Sequence, residues 1–198
     1  MKFILVSFII IFSSQVYAKT LVIVGDSLTE GYGVAKEKAF PALIEEKIKS
    51  DKKDWKVVNS GVSGSTTASA PSRIKWILKS KPDLVMIALG ANDGLRGVKV
   101  ATSKKSLDEA MALLKKENIP IVIGGMHMPP NFGKAYTKEF NEMFVDLSKK
   151  YNAVLIPFIL DKVAGDIKLN QTDGIHPNEE GHKIMADSIY NQIKDLLK

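Results

Sequence analysis

The sequence predicts a single α/β domain, a parallel sheet with helices packed on both faces. Two observations carry this expectation. Short apolar runs alternate five times with segments of helical period. Each polar, glycine-rich cluster lies directly after one of those runs or just ahead of the last helix, and in an open α/β sheet such points converge on the carboxyl edge of the strands. A chain of 198 residues suffices for one domain with a substantial core. Its 45% hydrophobic and 25% charged residues are those of an ordinary globular protein, and no repeat or long polar linker divides it.

The N-terminus stands apart. Lys2, the apolar run Phe3 to Phe12 and the ending Val16-Tyr17-Ala18 have the layout of a secretory signal peptide cleaved after Ala18. The run is short for a membrane span. Residues 1–18 are therefore set aside as a signal segment, 19–198 form the domain, and the protein is expected to be exported to the periplasm.

Leu21-Val22-Ile23-Val24 is apolar throughout, as a strand covered on both faces would be, and Gly25-Asp26-Ser27 follows it. Gly31-Tyr32-Gly33 makes a flexible loop, and Phe40, Leu43, Ile44 and Ile48 keep a helical period from about Phe40 to Ser50. Lys56 to Asn59 forms a second strand, ending in the turn-rich stretch Ser60 to Thr67. Pro71 marks a helix start, and the helix continues from Arg73 to Lys79. Leu84 to Leu89 is the strongest strand signal and ends in Gly90-Ala91-Asn92-Asp93-Gly94. A helix from about Ser103 to Asn118, a strand from Ile119 to Ile123, a loop through Met126-His127-Met128-Pro129, and a helix from about Tyr136 to Lys150 follow. The fifth strand spans Ala153 to Phe158, with a short helix and loop expected over Ile159 to Ile167. Asp173-Gly174-Ile175-His176-Pro177 then leads into a final helix from about Glu179 to Leu197.

Composition narrows the functional classes. The chain has no cysteine, so it forms no disulfide, offers no thiol nucleophile and lacks the lipidation site of a bacterial lipoprotein. The net charge of +6 comes from lysines scattered over the polar positions of helices, with no basic stripe interleaved with aromatics, which argues against nucleic acid as a partner. The charge is compatible with at most peripheral contact with an anionic membrane surface.

Acyl transfer by a serine needs a base for the hydroxyl proton, an acid to orient that base, and fixed donors for the oxyanion. Ser27 is the nucleophile candidate, at the end of the first strand. His176 is the base candidate, since imidazole both accepts and returns a proton near neutrality. Asp173, three residues before it in a loop, could reach one ring nitrogen and leave the other for Ser27. The backbone N–H groups of Ser27 and Gly64 and the side-chain amide of Asn92 are candidate oxyanion donors. Each residue also has a bland role. Asp173 and Asn92 could close turns, Gly64 could be merely permissive, Ser27 could bond nearby backbone, and His176 could cap the last helix. Their joint occurrence at successive strand ends favours the site.

The blocks Gly25-Asp26-Ser27-Leu28, Gly64 after the second strand, Gly90-x-Asn92-Asp93 and Asp173-x-x-His176-Pro177 resemble the SGNH hydrolases, also called GDSL esterases/lipases, in the family's order over nearly the whole chain beyond residue 18. The resemblance implies a flavodoxin-like sheet of strand order 2-1-3-4-5, a triad of Ser27, Asp173 and His176, and an oxyanion hole of Ser27, Gly64 and Asn92. Gly90 to Gly97, Pro130-Asn131-Phe132-Gly133 and Asp173 to Asn178 are most similar to the family's bacterial thioesterase/lysophospholipase/arylesterase branch. Ala91 departs from that branch, which often has glycine there, and Met126 to Pro129 differs in detail. In the branch, the loop covers the acyl chain, which makes Met128, Pro130, Asn131 and Phe132 substrate-binding candidates. The branch is typically exported, and the resemblance favours a monomer that needs no cofactor.

Tyr32 and Phe132 could line an acyl groove or simply pack. His127 lies in the covering loop, as a surface residue or a substrate contact. His182, within the last helix, is expected at the surface or in packing, and a helix would hold it beside Glu179 on its outer face. Three dispersed histidines without a repeated ligand spacing give no metal site. The leading expectation is an exported serine hydrolase of acyl esters, lysophospholipids or thioesters. The alternatives are a carbohydrate O-deacetylase and, in a different class, a small-ligand or flavin-binding module. Against the last, no glycine-rich phosphate loop follows a strand.

Overall fold

The computed structural model describes residues 18–198, apart from the side chain of Pro130. The candidate signal segment, except for Ala18, lies outside the described residues. Five strands, β1 (Lys19–Gly25), β2 (Trp55–Gly61), β3 (Leu84–Ala88), β4 (Ile121–Gly124) and β5 (Val154–Ile156), form one sheet of order β2-β1-β3-β4-β5. Every pairing is parallel, so each connection crosses over through helical structure. This is the flavodoxin-like order the sequence resemblance implies.

The helices are α1 (Ser27–Glu30), α2 (Phe40–Ser50), α3 (Ala70–Ile77), α4 (Ala91–Leu95), α5 (Val100–Lys116), α6 (Lys134–Tyr151) and α7 (Glu179–Ile193). On one face α2 packs against α7; on the other, α5 packs between α3 and α6. The apolar stripes explain the layers. Phe40, Ile44 and Ile48 of α2 and Met185, Ile189 and Ile193 of α7 are buried, as are Leu107, Met111 and Leu114 of α5. Leu21 to Val24 and all of β3 are buried on both faces, as their unbroken apolar runs require. At the edge, β2 leaves Val58 exposed.

The chain leaves β1 toward β2 on one side and returns to β3 on the other, so loops diverge beyond the carboxyl ends of β1 and β3 and leave a crevice there. The fifth strand spans Val154–Ile156 and not Ala153 to Phe158, and two further expectations fail. No helix forms between Ile159 and Ile167: the segment is a series of turns, interrupted by left-handed backbone at Lys162 (φ 62°) and Gly165 (φ 79°). The last helix ends at Ile193 rather than Leu197, although Leu197 remains fully buried.

Candidate active site

Gly25 closes β1 and Ser27 opens α1. A Cβ at Gly25 would lie 1.8 Å from Thr29 Oγ1, so only glycine lets the short helix fold back so tightly over the strand end. Asp26 caps α1, its Oδ1 accepting the Leu28 N–H at 3.0 Å. That carboxyl is buried, and burial pushes its pKa up to about 6 against the lowering effect of the Leu28 N–H.

Residues far apart in sequence meet at Ser27. His176 Nε2 lies 3.0 Å from Ser27 Oγ, and His176 Nδ1 lies 2.7 Å from Asp173 Oδ2. Asp173 Oδ1 also accepts the N–H groups of Ile175 and His176, each at 3.0 Å. These bonds, the His176 N–H first and then its ring, hold the Asp173 carboxyl down at about 2. With the carboxylate fixed on Nδ1–H, Nε2 is left to accept the Ser27 hydroxyl proton. The geometry suits removal of that proton and its later return.

Asn92 lies in α4, just past β3, and its Nδ2 donates to Ser65 O at 3.0 Å. Gly64, with φ of 76°, precedes Ser65 in the loop beyond β2, so the two remaining oxyanion candidates are neighbours. Beside Ser27 and His176 opens a cavity of about 300 Å³. Leu28, Leu95, Met126, Met128, Phe158 and Leu160 give it mainly apolar walls.

Of the four substrate-binding candidates, Met128 lines this cavity. Asn131 and Phe132 are not among its lining residues; Phe132 stacks toward Tyr136 at 6.4 Å and packs on the core, because the 3₁₀ turn at Pro130–Phe132 leads directly into α6. The Pro130 side chain lies outside the described residues. His127 is exposed, lines the cavity and stacks on Phe158 at 4.5 Å. Tyr32 lies against the His176 ring, with centroids 4.7 Å apart.

His182 is not on an outer face. It is buried, stacks on Phe40 and accepts the Phe40 N–H at Nδ1, 3.3 Å away, because α7 turns this side toward α2. Burial pushes its pKa down to about 4.

Three supporting groups escaped the sequence reading. Buried Asp93 binds Thr67 and Ser103, linking the Gly64 loop to α4 and α5. Gln171 donates from Nε2 to Tyr32 O (2.7 Å) and Pro177 O (3.0 Å) and from its backbone to His176 O (2.8 Å), tying the histidine loop to the segment after α1. Arg73 reaches the ends of β1 and β2. Asp93 stands inside the Asn92 block, so its position was a signal; Gln171 and Arg73 carried none. Among the described residues, no three His, Cys, Asp or Glu side chains group as metal ligands.

Residues 23–184 match the GDSL-like Lipase/Acylhydrolase family. The chain is 31% identical over 190 residues to Esterase TesA of Pseudomonas aeruginosa, covering 96% of this chain and 94% of that one. It is 33% identical over 181 residues to Thioesterase 1/protease 1/lysophospholipase L1 of Escherichia coli K12, covering 91% and 86%. The crystal structure of the psychrotrophic esterase EstA from Pseudoalteromonas sp., inhibited by monoethylphosphonate, superposes with a TM-score of 0.86 at 33% identity over 90% of this chain and 98% of that one.

Proposed function

Since the chain belongs to the GDSL-like lipase/acylhydrolase family and is a carboxylic ester hydrolase, we propose that it cleaves acyl esters, including lysophospholipids, and acyl thioesters at Ser27 through an acyl-enzyme. The observation that carries this reading is the 3.0 Å approach of His176 Nε2 to Ser27 Oγ at the mouth of an apolar cavity. The Ser27 oxygen attacks the carbonyl carbon while its proton passes to His176 Nε2. The Asp173 carboxylate stabilises the imidazolium, and the Ser27 and Gly64 N–H groups with the Asn92 amide receive the oxyanion. His176 returns the proton to the leaving oxygen or sulfur, and water repeats the sequence to release the acid. Leu95, Met128, Phe158 and Leu160 favour an acyl chain longer than acetyl, which sets this reading above a carbohydrate O-deacetylase.

Export completes the proposal: the charge, apolar run and small-residue ending of residues 1–18 support cleavage after Ala18 and release to the periplasm. Cell fractionation with mass spectrometry of the N-terminus checks it; a soluble cytoplasmic protein beginning at Met1 refutes it.

Hydrolysis of p-nitrophenyl esters from acetate to palmitate, with residues 19–198 beside Ser27→Ala, tests the chemistry. Activity that peaks at a medium or long chain and vanishes in the variant is expected. An acetate-only profile would favour a deacetylase, and equal rates in both proteins would remove Ser27 as nucleophile.

A further inference from the structure

The two backbone donors of the proposed oxyanion hole lie on different strands' ends. The β1–β2 ladder runs to Gly25 opposite Gly61, and one more bond, Val62 N–H to Gly25 O at 3.1 Å, closes it. Beyond that point the chains part: one turns into α1 with Ser27, the other into the Gly64 loop. Among the described residues β2 is the sheet's edge, and no further strand pairs with its outer side.

Arg73 spans this divergence from α3. Its Nη1 donates to Gly25 O at 2.9 Å and its Nη2 donates to Ser60 O. Gly25 stands two residues before Ser27, and Ser60 four residues before Gly64. One planar, rigid group thus bonds the backbone just upstream of both donors. A guanidinium suits this place because its nitrogens diverge at a fixed angle and it stays charged over the working pH range, whereas an ammonium is a point charge on a flexible stem. The cation is half-buried, and the buried Asp26 carboxyl, which caps the helix bearing Ser27, interacts favourably with it. Beside the guanidinium lies a cavity of about 240 Å³ lined by Ser60, Ser72, Trp76 and Ile77 as well as Arg73.

We propose that Arg73 is a positioning residue that sets the spacing of the Ser27 and Gly64 N–H groups for the oxyanion, acting through the Gly25 and Ser60 carbonyls. The proposal rests on the oxyanion-hole reading above. It separates Arg73 from groups that only hold the fold, because its effect falls on the transition state and not on substrate capture.

The test compares Arg73→Ala, Arg73→Lys and Ser27→Ala with the unmodified chain on p-nitrophenyl butyrate, measuring kcat, KM and thermal midpoint. Arg73→Ala is expected to lose roughly 10–100-fold in kcat, in line with a donor displaced by a fraction of an ångström, while KM stays within about twofold. Guanidinium chloride at tens of millimolar, far below denaturing concentration, should raise the Arg73→Ala rate several-fold by entering the vacated place. Sodium chloride at equal ionic strength should not, and neither salt should stimulate the unmodified chain. Arg73→Lys keeps the charge, should fold even if the alanine variant does not, and should still show a kcat loss.

Unchanged kcat in Arg73→Lys and Arg73→Ala, or equal recovery with both salts, would overturn the assignment. Ser27→Ala distinguishes the two failures. If it is inactive while the Arg73 variants keep full kcat, only the Arg73 inference falls. If it retains activity, the reading of the whole site falls.

Discussion

Asp93 holds Thr67 twice, accepting its backbone N–H at 2.8 Å and its hydroxyl at 2.5 Å. The same carboxylate accepts the Ser103 hydroxyl at 2.9 Å, and Asp93 and Ser103 are both buried. Thr67 ends the loop that carries Gly64, and Asp93 follows Asn92. One buried group therefore sets one side of the candidate oxyanion hole against the other.

Asp93→Ala would leave three buried donors without an acceptor. The expected cost is about 3 kcal/mol, since charge-assisted bonds are lost and stranded donors are penalised. For a domain of this size that lowers Tm by roughly 6–12 °C, measurable by calorimetry. Asp93→Asn keeps an acceptor and should lose less. A Tm unchanged in Asp93→Ala would show that the network contributes nothing.

Asn92 uses one amide hydrogen on Ser65 O and keeps a second for the cavity it lines. Asn92→Ala should reduce kcat roughly 10²–10³-fold with little change in KM, the pattern of a donor that acts on developing charge. Steady-state kinetics on one ester decides it, and an unchanged kcat would remove Asn92 from the oxyanion hole.

Buried His182 predicts how stability responds to acid. Its pKa is about 4 in the fold against an ordinary 6.5, so above pH 6.5 it is neutral folded or unfolded and its contribution is fully present. Between 6.5 and 4 only the unfolded chain takes up the proton, and stability falls by about 2–3 kcal/mol as pH drops through that window. Asp26, raised from 3.8 to about 6, works the other way: the folded chain binds its proton first, which favours folding as pH falls. Urea unfolding of His182→Gln beside the unmodified chain cancels the Asp26 contribution. The unmodified chain should be the more stable at pH 7, with the gap narrowing toward pH 4; parallel curves would contradict this.

Gly94 and Met128 bear on chain length. A Cβ at Gly94 would stand 2.2 Å from Met128 Sδ, and Met128 lines the cavity. Gly94→Ala should push the flexible thioether toward that space without unfolding the chain. The rate on long p-nitrophenyl esters should fall more than the rate on acetate. An unchanged ratio across the ester series would separate this contact from specificity.

Much of the fold was legible because its signals are local. Leu21 to Val24 and Leu84 to Leu89 are too uniformly apolar to face water on either side, and the stripe Phe40, Ile44 and Ile48 needs a buried face, as found. Ser27, Asp173 and His176 were legible as chemical types at strand ends and loops. The misses share a different cause. Gly33 and Gly174 mark turns in sequence, but nothing local says that Gln171 ties the two loops together by bonding Tyr32 O and His176 O. Phe132 resembles a groove residue until its approach to α6 is known. His182 lies at a helix position whose outer or inner side depends on how α7 rolls against α2.

The sequence by itself determined the alternation of strands and helices, the glycine at the end of β1 and the presence of side-chain types whose chemistry suits attack, proton acceptance and donation to an oxyanion. These follow from backbone sterics, hydrophobic period and side-chain chemistry, which each residue carries wherever it lies. Only the tertiary structure decided that Ser27 and His176, 149 residues apart, stand 3.0 Å from one another. It also decided that Arg73 joins two strand ends and that Asp26 and His182 are driven away from their ordinary pKa values. The physical reason is that distance, burial and local dielectric belong to the packed arrangement, and no single residue specifies them.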